Sequence, residues 1–390
     1  MSVIKGIVLA DIHIGAFPMI YQQNDLDYVL EVVDAYSDVL DFGVICGDLF
    51  DYKNYASSKE FRNGVSFLFE LLCNSNPNTE WHVIEGTRSH DALQTNTLES
   101  MFDWVKDYIE FATGKEDLPK IYFHSKVESV DIKGLKCLMI PEEYVVDQDS
   151  YYKEPFSHYY DFIFGHGMTN MMYYAEKKSI NHVPGAPVFE VEKLTSICNY
   201  AFFGHVHTHK TMGRFESIGP VSRWEFGNPD AGFDIVYYDT ESQTADIRYM
   251  ETMTACTLET VTLNLDKDLS TEELDKELAR IVRMAEPGSI YKLRIIVFMD
   301  DSVENAAGIR IYLTEYIDKY PKISILFKQG TKFFEEDGTE VEKEDMDLDE
   351  ELSQLLSDRD DVTVQEFIEM NHGERIGLET IQTIIGYKED

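Results

Sequence analysis

Short apolar runs alternate with segments of helical periodicity over the first half of the chain. Apolar side chains recur at helical spacing in residues 25–40, 60–72 and 96–111. Apolar runs typical of strands lie at residues 3–9, 42–46, 81–84, 121–123, 127–132, 135–140, 162–164 and 200–203. This alternation predicts an α/β (α+β) layered domain in which helices cover the sheets.

A second alternating pattern follows the first. Apolar positions at every second residue predict a strand at residues 261–265, and Ser270 begins a capping-box pattern that predicts a helix start. The later elements are a strand, a helix and a strand, at residues 291–297, 303–317 and 323–327. The order β-α-β-α-β predicts a small α/β cap at residues 256–332, after a first domain at residues 1–255.

The end of the chain has a different composition. Eleven of the 17 residues from Glu335 to Glu351 are acidic, so residues 333–352 are expected to form a solvated linker. Apolar positions in residues 353–390 then predict two short helices. This amphipathic pair has two interpretations: it folds back on its own domain, or it docks into a groove of a partner.

The composition restricts the class of protein. Hydrophobic residues make up 44% of the 390 residues, which is enough for a substantial core. The five cysteines are scattered and show no C-x-x-C spacing, so reduced thiols are expected rather than disulfides or a zinc ribbon. No apolar run is long enough to span a membrane, and the first residues do not have the layout of a signal peptide, so a cytoplasmic protein is expected.

The net charge of −38 disfavours a non-specific grip on nucleic acid, because that grip depends on Lys and Arg neutralising phosphates. A phosphodiester substrate would therefore need metal ions, a local basic strip or a basic partner. Taken alone, the charge indicates only an acidic, soluble protein.

Five clusters of carboxylate and imidazole side chains each follow a predicted strand. The clusters are Asp11-Ile12-His13, Gly47-Asp48-Leu49-Phe50-Asp51, Gly86-Thr87-Arg88-Ser89-His90-Asp91, Gly165-His166-Gly167 and Gly204-His205-Val206-His207. One such cluster is a weak signal, since a lone histidine is more often a core or surface residue than a ligand. All five in this order are a strong one, because sites gather at the carboxyl ends of strands in α/β sheets.

The residue types fit metal-dependent hydrolysis. Mixed carboxylate and imidazole ligands suit Mn, Fe or Zn ions, and one shared carboxylate can bridge two ions about 3.5–4 Å apart. Such a pair polarises a phosphoryl group and stabilises in-line attack on it. His90 and Asp91 have the residue types of a proton donor and the carboxylate that orients it. The five clusters therefore predict a two-metal phosphoesterase.

The clusters resemble the motif set of the calcineurin-like metallophosphoesterases, which is D-x-H, G-D-x-x-D, G-N-H-D/E, G-H and G-H-x-H. The form Gly47-Asp48-Leu49-Phe50-Asp51 and the second half of the chain make it similar to the SbcD-type nuclease subunit of the meiotic-recombination-eleven family, including phage versions. The resemblance implies a four-layer phosphoesterase sandwich, a small α/β cap and C-terminal helices. It also implies a manganese-dependent DNA exonuclease or endonuclease, with magnesium as the other candidate ion, in repair or recombination. Partners implied are DNA, an SbcC-type ABC ATPase bound by the C-terminal helices, and a second copy of the chain.

Roles carried over by motif give a ligand set. Asp11, His13 and His207 would hold the first metal, and Asp48 would bridge both. His166 and His205 would hold the second. His90 would be the catalytic histidine, oriented by Asp91, while Asp51 supports the surrounding shell. Dimerisation would use helices at residues 60–72 and 96–111.

The third cluster departs from the family pattern. The family has Asn directly before the histidine, as a ligand of the second metal, and this chain has Ser89 there. Ser89 would ligate through its hydroxyl, or water, Thr87 or another group would replace it. Arg88 would contact a substrate phosphate. Two other functions stay open: a stand-alone phosphodiesterase or phosphatase for a small molecule, favoured by the acidity, and a scaffold subunit whose catalysis is weakened at Ser89.

Overall fold

The computed structural model describes most of the chain before the acidic segment. The described ranges are residues 3–55, 57–91, 94–102, 118–170, 186–223, 230–265, 271–285, 290–299 and 306–329. The chain divides into two units, Met1–Thr260 with Ala285–Leu293 and Val261–Met284 with Arg294–Asp390. The first unit also includes Ala285–Leu293, which the sequence analysis places in the cap, so the predicted domain bounds stay a prediction.

The first unit is built on two six-stranded sheets. In chain order its strands are β1 (Val3–Leu9), β2 (Phe42–Cys46), β3 (Glu80–Ile84), β4 (Lys120–His124), β5 (Glu128–Ile132), β6 (Leu135–Ile140), β7 (Tyr160–His166), β8 (Met168–Thr169), β9 (Val188–Phe189), β10 (Cys198–Gly204), β11 (Lys210–Met212), β12 (Phe215–Ser217), β13 (Gly232–Asp239) and β14 (Thr244–Glu251). The first sheet has the order β14-β13-β1-β2-β3-β4 and the second β11-β12-β10-β7-β6-β5, while β8 and β9 form a separate pair.

Parallel pairing aligns the strand ends within each sheet. Strands β1 to β4 are parallel, and so are β6, β7, β10 and β12, whereas β5, β11, β13 and β14 pair antiparallel at the flanks. The carboxyl ends of the central strands therefore lie along one edge of each sheet. In such sheets, ligands bind at this edge.

The two sheets pack face to face. One core cluster contains Val8 and Val44 of the first sheet together with Phe162 and Phe202 of the second, all of them fully buried. The outer face of the first sheet is covered by α1 (Met19–Tyr36) and α2 (Lys59–Asn74). The outer face of the second packs against the short α3 (Gln148–Tyr151) and α4 (Val191–Ser196). The α/β layered class predicted from the sequence is confirmed.

Helix α2 supports the segment that follows β2. The Ser58 side chain caps the helix by accepting a hydrogen bond of 3.1 Å from the backbone N–H of Phe61. The Phe61 ring stacks on Phe50, with 5.5 Å between the ring centroids. Gly64 lets the helix approach this ring, because a Cβ there would lie 2.5 Å from Phe50. Packing against α2 thus fixes the position of Phe50, which lies between Asp48 and Asp51 in the sequence.

The chain after β14 has the predicted order of elements. Strand β15 (Thr257–Leu265) is followed by α5 (Thr271–Met284), β16 (Ile290–Met299), α6 (Ala306–Ile317) and β17 (Ile323–Gln329). The strands form one sheet in the order β15-β16-β17. The β-α-β-α-β prediction is confirmed, although Ser270 of the capping-box pattern lies outside the described residues.

Several predicted elements differ or cannot be compared. The sequence pattern did not identify the hairpin of β13 and β14, because Asp234 interrupts the apolar run of β13 and the edge strand β14 is only partly buried. Of the predicted helix at 96–111, the described part is helical at residues 95–102. The acidic linker at 333–352 and the helices at 353–390 lie outside the described residues. Within the described ranges, no helix is both long and apolar enough to cross a membrane.

Asp234 makes the stability of the fold depend on pH. Its side chain is fully buried between the sheets, and neither carboxylate oxygen has a hydrogen-bond partner among the described residues. Burial, reinforced by the nearby Glu216, raises the pKa of Asp234 to about 8. In the unfolded chain the pKa is about 4. The contribution of Asp234 to the free energy of unfolding is therefore fully present below about pH 4 and is lost as the pH rises towards 8. The loss amounts to about 1.4 kcal/mol for each unit of pKa difference.

We expect Asp234→Asn to flatten this pH dependence, because the amide cannot ionise. In EDTA, the Tm of the wild type should fall between pH 5 and pH 9 by more than that of the variant. Thermal unfolding followed by circular dichroism measures both curves. Asp34→Asn, at an exposed position of α1, is the control and should follow the wild type. Parallel curves for wild type and Asp234→Asn would contradict the prediction.

Candidate metal centre

The predicted ligands lie at the carboxyl ends of central strands in both sheets. Asp11 and His13 follow β1, and Asp48 follows β2 in the first sheet. In the second sheet, His166 is the last residue of β7, and His205 and His207 come directly after β10. The face-to-face packing of the sheets brings these two edges together. Every metal ligand predicted from the sequence except Ser89 lies in this cluster.

The backbone at these strand ends adopts conformations that most residues avoid. Asp11, His13 and Asp48 have φ angles of 49°, 49° and 51°, and His205 has a φ of 90°. Positive φ is uncommon for residues other than glycine, and it persists only where the surrounding structure enforces it. Hydrogen bonds between the loops that follow β1 and β2 hold these conformations. For example, the N–H of His13 donates to the carbonyl of Asp48 at 2.9 Å. Such clustered strain is typical of functional sites.

The first group of donors contains Asp11, His13 and His207. The Nε2 atoms of His13 and His207 are 3.2 Å apart, and His207 Nε2 lies 3.8 Å from Asp11 Oδ1. Asp48 adjoins this group, because its Oδ2 is 3.6 Å from His13 Nε2. Gln22 of α1 stabilises the loop after β1, because its side-chain amide donates to the carbonyls of Ile12 and His13 at 3.0 and 2.9 Å.

The second group contains Glu142, His166 and His205. His166 Nε2 lies 3.9 Å from Glu142 Oε2, and His205 Nδ1 lies 3.3 Å from the same oxygen. The other ring nitrogen of His166, Nδ1, is 2.8 Å from the carbonyl oxygen of Cys46, which directs Nε2 towards the group. Asp48 joins this group too, with Oδ2 3.2 Å from His166 Nε2.

Asp48 therefore adjoins both groups. In each group the candidate ligand atoms lie within 4.8 Å of one another, and the carboxylates, His13 and His166 are buried. Carboxylate oxygens and imidazole nitrogens together are a donor set that suits divalent transition ions. The residues present thus fit metal binding, with one group on each side of Asp48.

The electrostatics of the cluster favour added positive charge. Burial disfavours a charged His166, but Asp48, Asp11 and Glu142 outweigh it and raise the pKa of His166 to about 10. Burial opposes ionisation of Asp48 as well, yet His166 and its neighbours hold the pKa of that carboxyl well below its usual range. Likewise the pKa of Glu142 is lowered, because His205 and His166 outweigh the effect of burial. A divalent cation would displace the proton on His166 when it binds.

The third cluster is arranged differently from the expectation. Asp91 does not orient His90: its carboxylate accepts hydrogen bonds from the backbone N–H groups of Phe50 and Gly86, at 3.0 and 2.8 Å. Instead, Nδ1 of His90 lies 2.5 Å from the carbonyl oxygen of Asp51. Adjacency in sequence was misleading, because the chain turns between His90 and Asp91 and directs the two side chains apart. Asp91 thus links the loop after β3 to the loop after β2, and the carbonyl group of Asp51 positions His90.

Ser89 is not placed as a ligand. Ser89 and Arg88 are both exposed, whereas the hydroxyl of Thr87 lies among the second group of donors. A Cβ at Gly86 would lie 2.1 Å from the backbone nitrogen of Asp48, so only glycine lets the chain come this close. Thr87 was one of the alternatives left open by the sequence, and the geometry favours it over Ser89.

Glu142 is the donor that the sequence pattern did not single out. It comes two residues after β6 and is 8% exposed. The rule that sites gather at strand ends would have pointed to Pro141-Glu142-Glu143, but no histidine or glycine marks this position. Glu143, its neighbour, faces elsewhere and bonds to Tyr151 and to the backbone of Val127.

A comparison with models of known protein families gives no match, and a comparison with curated proteins gives none either. The interpretation of the site therefore depends on its own residues and their geometry.

Proposed function

We propose that this chain is a two-metal phosphodiesterase whose substrate is DNA. The observation that carries the proposal is the position of Asp48, whose Oδ2 lies 3.6 Å from His13 in one donor group and 3.2 Å from His166 in the other. A carboxylate shared in this way is the usual bridge of a two-metal hydrolytic site. Two divalent cations bound here would polarise the phosphoryl group and stabilise in-line displacement at phosphorus.

His90 is the proposed proton donor to the leaving oxygen. Its side chain is 30% exposed beside His13, with 4.7 Å between the ring centroids, so a substrate can reach it. Burial lowers its pKa, but Asp48 and Asp51 outweigh this effect and the pKa is raised above the ordinary value. His90 is thereby kept protonated closer to neutral pH, as a general acid requires.

The choice of DNA is supported by the motif resemblance and by the surface beside the site. Tyr52 and Tyr55, which follow Asp51, are 41% and 80% exposed, and Lys53 between them is exposed as well. Exposed aromatic rings stack on unpaired bases, and lysines neutralise phosphates. By the same resemblance we propose manganese as the activating ion, a homodimer, and an SbcC-type ATPase partner in DNA end processing.

Hydrolysis of an end-labelled linear DNA duplex in Mn²⁺ tests the proposal. We expect the full chain, with an ATPase partner supplied, to release labelled products, and EDTA to abolish the release. Chelation should remove the activity because the two proposed cations would supply the polarisation of the phosphoryl group. Absence of cleavage under these conditions, with two Mn²⁺ bound per chain, would contradict the assignment of DNA.

A small-molecule phosphodiesterase is the second candidate, and the net charge of −38 favours it. Such a surface repels nucleic acid except where cations or a basic strip intervene. Hydrolysis of bis(p-nitrophenyl) phosphate without any cleavage of DNA is the result expected for this candidate.

A further inference from the structure

The hydroxyl of Thr87 lies close to every side chain of the second donor group and to Asp48. Its Oγ1 lies 3.0 Å from Glu142 Oε2, 3.2 Å from Asp48 Oδ2, 3.2 Å from His166 Nε2 and 3.2 Å from His205 Nδ1. One hydroxyl has a single proton and two lone pairs, so it cannot make four good hydrogen bonds at once. Convergence of this many donor atoms is the geometry of ligands around a common centre.

The Thr87 backbone is fixed in this position. Its N–H donates to Asp48 Oδ1 at 2.6 Å, and Gly86 before it packs against the backbone of Asp48. Three segments of the chain therefore meet here: the loop after β3 with Thr87, the turn after β2 with Asp48 and the turn after β6 with Glu142. The side chain is oriented by the backbone and does not depend on a flexible loop tip.

Glu142 brings a negative charge to the same place. The residue is 8% exposed, and Oε2 faces Thr87, His205 and His166. Burying a carboxylate is costly unless a positive charge or a metal ion compensates for it. Asp11 and Asp48, which are also buried, add two more carboxylates to the cluster. Among the described residues near the site, neither lysine nor arginine forms an ion pair with these three carboxylates.

We propose that Glu142 and Thr87 are ligands of the second cation, together with Asp48, His166 and His205. This inference rests on the proposed two-metal site and specifies how its second half is built. The second cation then receives two carboxylates and a hydroxyl beside two imidazoles. Oxygen ligands in the majority favour Mn²⁺ or Mg²⁺ over the softer ions that nitrogen and sulfur ligands select.

The experiment measures the number of Mn²⁺ ions bound per chain and their affinities, independently of any activity. The full-length wild type, Glu142→Gln, Thr87→Val and Thr87→Ser are titrated with Mn²⁺ by calorimetry, and the bound Mn²⁺ pair is observed by electron paramagnetic resonance. Glu143→Gln is the matched control, because Glu143 bonds to Val127 and Tyr151 away from the site. Thermal unfolding of each metal-free variant checks that it is folded.

The wild type and Glu143→Gln should bind two Mn²⁺ and show the coupled signal of a metal pair. Glu142→Gln should keep one tight site and lose at least about tenfold in affinity at the other, with the coupled signal weakened. Thr87→Val should weaken the same site, whereas Thr87→Ser, which retains the hydroxyl, should bind like the wild type.

Two wild-type affinities in folded Glu142→Gln would overturn the role of Glu142, and equal affinities in Thr87→Val and Thr87→Ser would overturn that of Thr87. Should Glu142→Gln fail to fold, the two Thr87 variants decide whether this group holds the ion. Failure of the proposed function is a separate result: a wild type that binds two Mn²⁺ but cleaves no phosphodiester.

Discussion

Asp48→Asn is expected to abolish hydrolysis and the paired binding of metal. The amide keeps an oxygen that can accept from Thr87 N–H, now 2.6 Å from Asp48 Oδ1, but it has no charge and no second oxygen to bridge two cations. Asparagine also tolerates the positive φ of 51° at this position, so the backbone need not change. The variant should therefore fold and fail at the metal centre alone.

Mn²⁺ titration and phosphodiester hydrolysis measure the effect together. We expect at most one weakly bound Mn²⁺ per chain and no hydrolysis above background. Asp38→Asn, at an exposed position after α1, is the control and should bind two ions. Two tightly bound ions in Asp48→Asn would show that the groups on either side of Asp48 do not share it.

His90→Ala is expected to lower hydrolysis by on the order of 10²- to 10⁴-fold while leaving two metals bound, since general-acid catalysis contributes about this much. The geometry also allows His90 to be a metal ligand, because a ligand atom of its ring lies within 4.8 Å of ligand atoms of His13 and Asp48. We favour the catalytic role because Nδ1 is occupied by the Asp51 carbonyl and the ring is partly open to solvent.

Hydrolysis and Mn²⁺ stoichiometry, measured together in His90→Ala, distinguish a proton donor from a metal ligand. Loss of hydrolysis with unchanged Mn²⁺ stoichiometry supports a proton donor, whereas loss of one ion would make His90 a ligand. A substrate with a very acidic leaving group should restore much of the activity of His90→Ala, because its leaving oxygen needs no proton. His158→Ala, an exposed histidine paired with Glu154, is the control and should change neither quantity.

Much of the fold was determined by local patterns. The strands at 42–46 and 135–140 match their predicted bounds, because the first is buried throughout and the second is buried except at Lys136. The hairpin of β13 and β14 could not be read in this way. Its position depends on pairing with β1, more than 200 residues earlier, and the buried Asp234 within it contradicts the usual apolar pattern.

The sequence by itself predicted most side chains of the candidate metal cluster, since motifs such as Asp11-Ile12-His13 and Gly204-His205-Val206-His207 place carboxylates and imidazoles at strand ends. Only the tertiary structure decided how the third cluster is used. It directed Asp91 to the backbone, brought the Asp51 carbonyl to His90, and brought Glu142 and Thr87 to the second donor group. These contacts join residues 39 to 118 positions apart, and their directions depend on how two sheets pack, which no local pattern encodes.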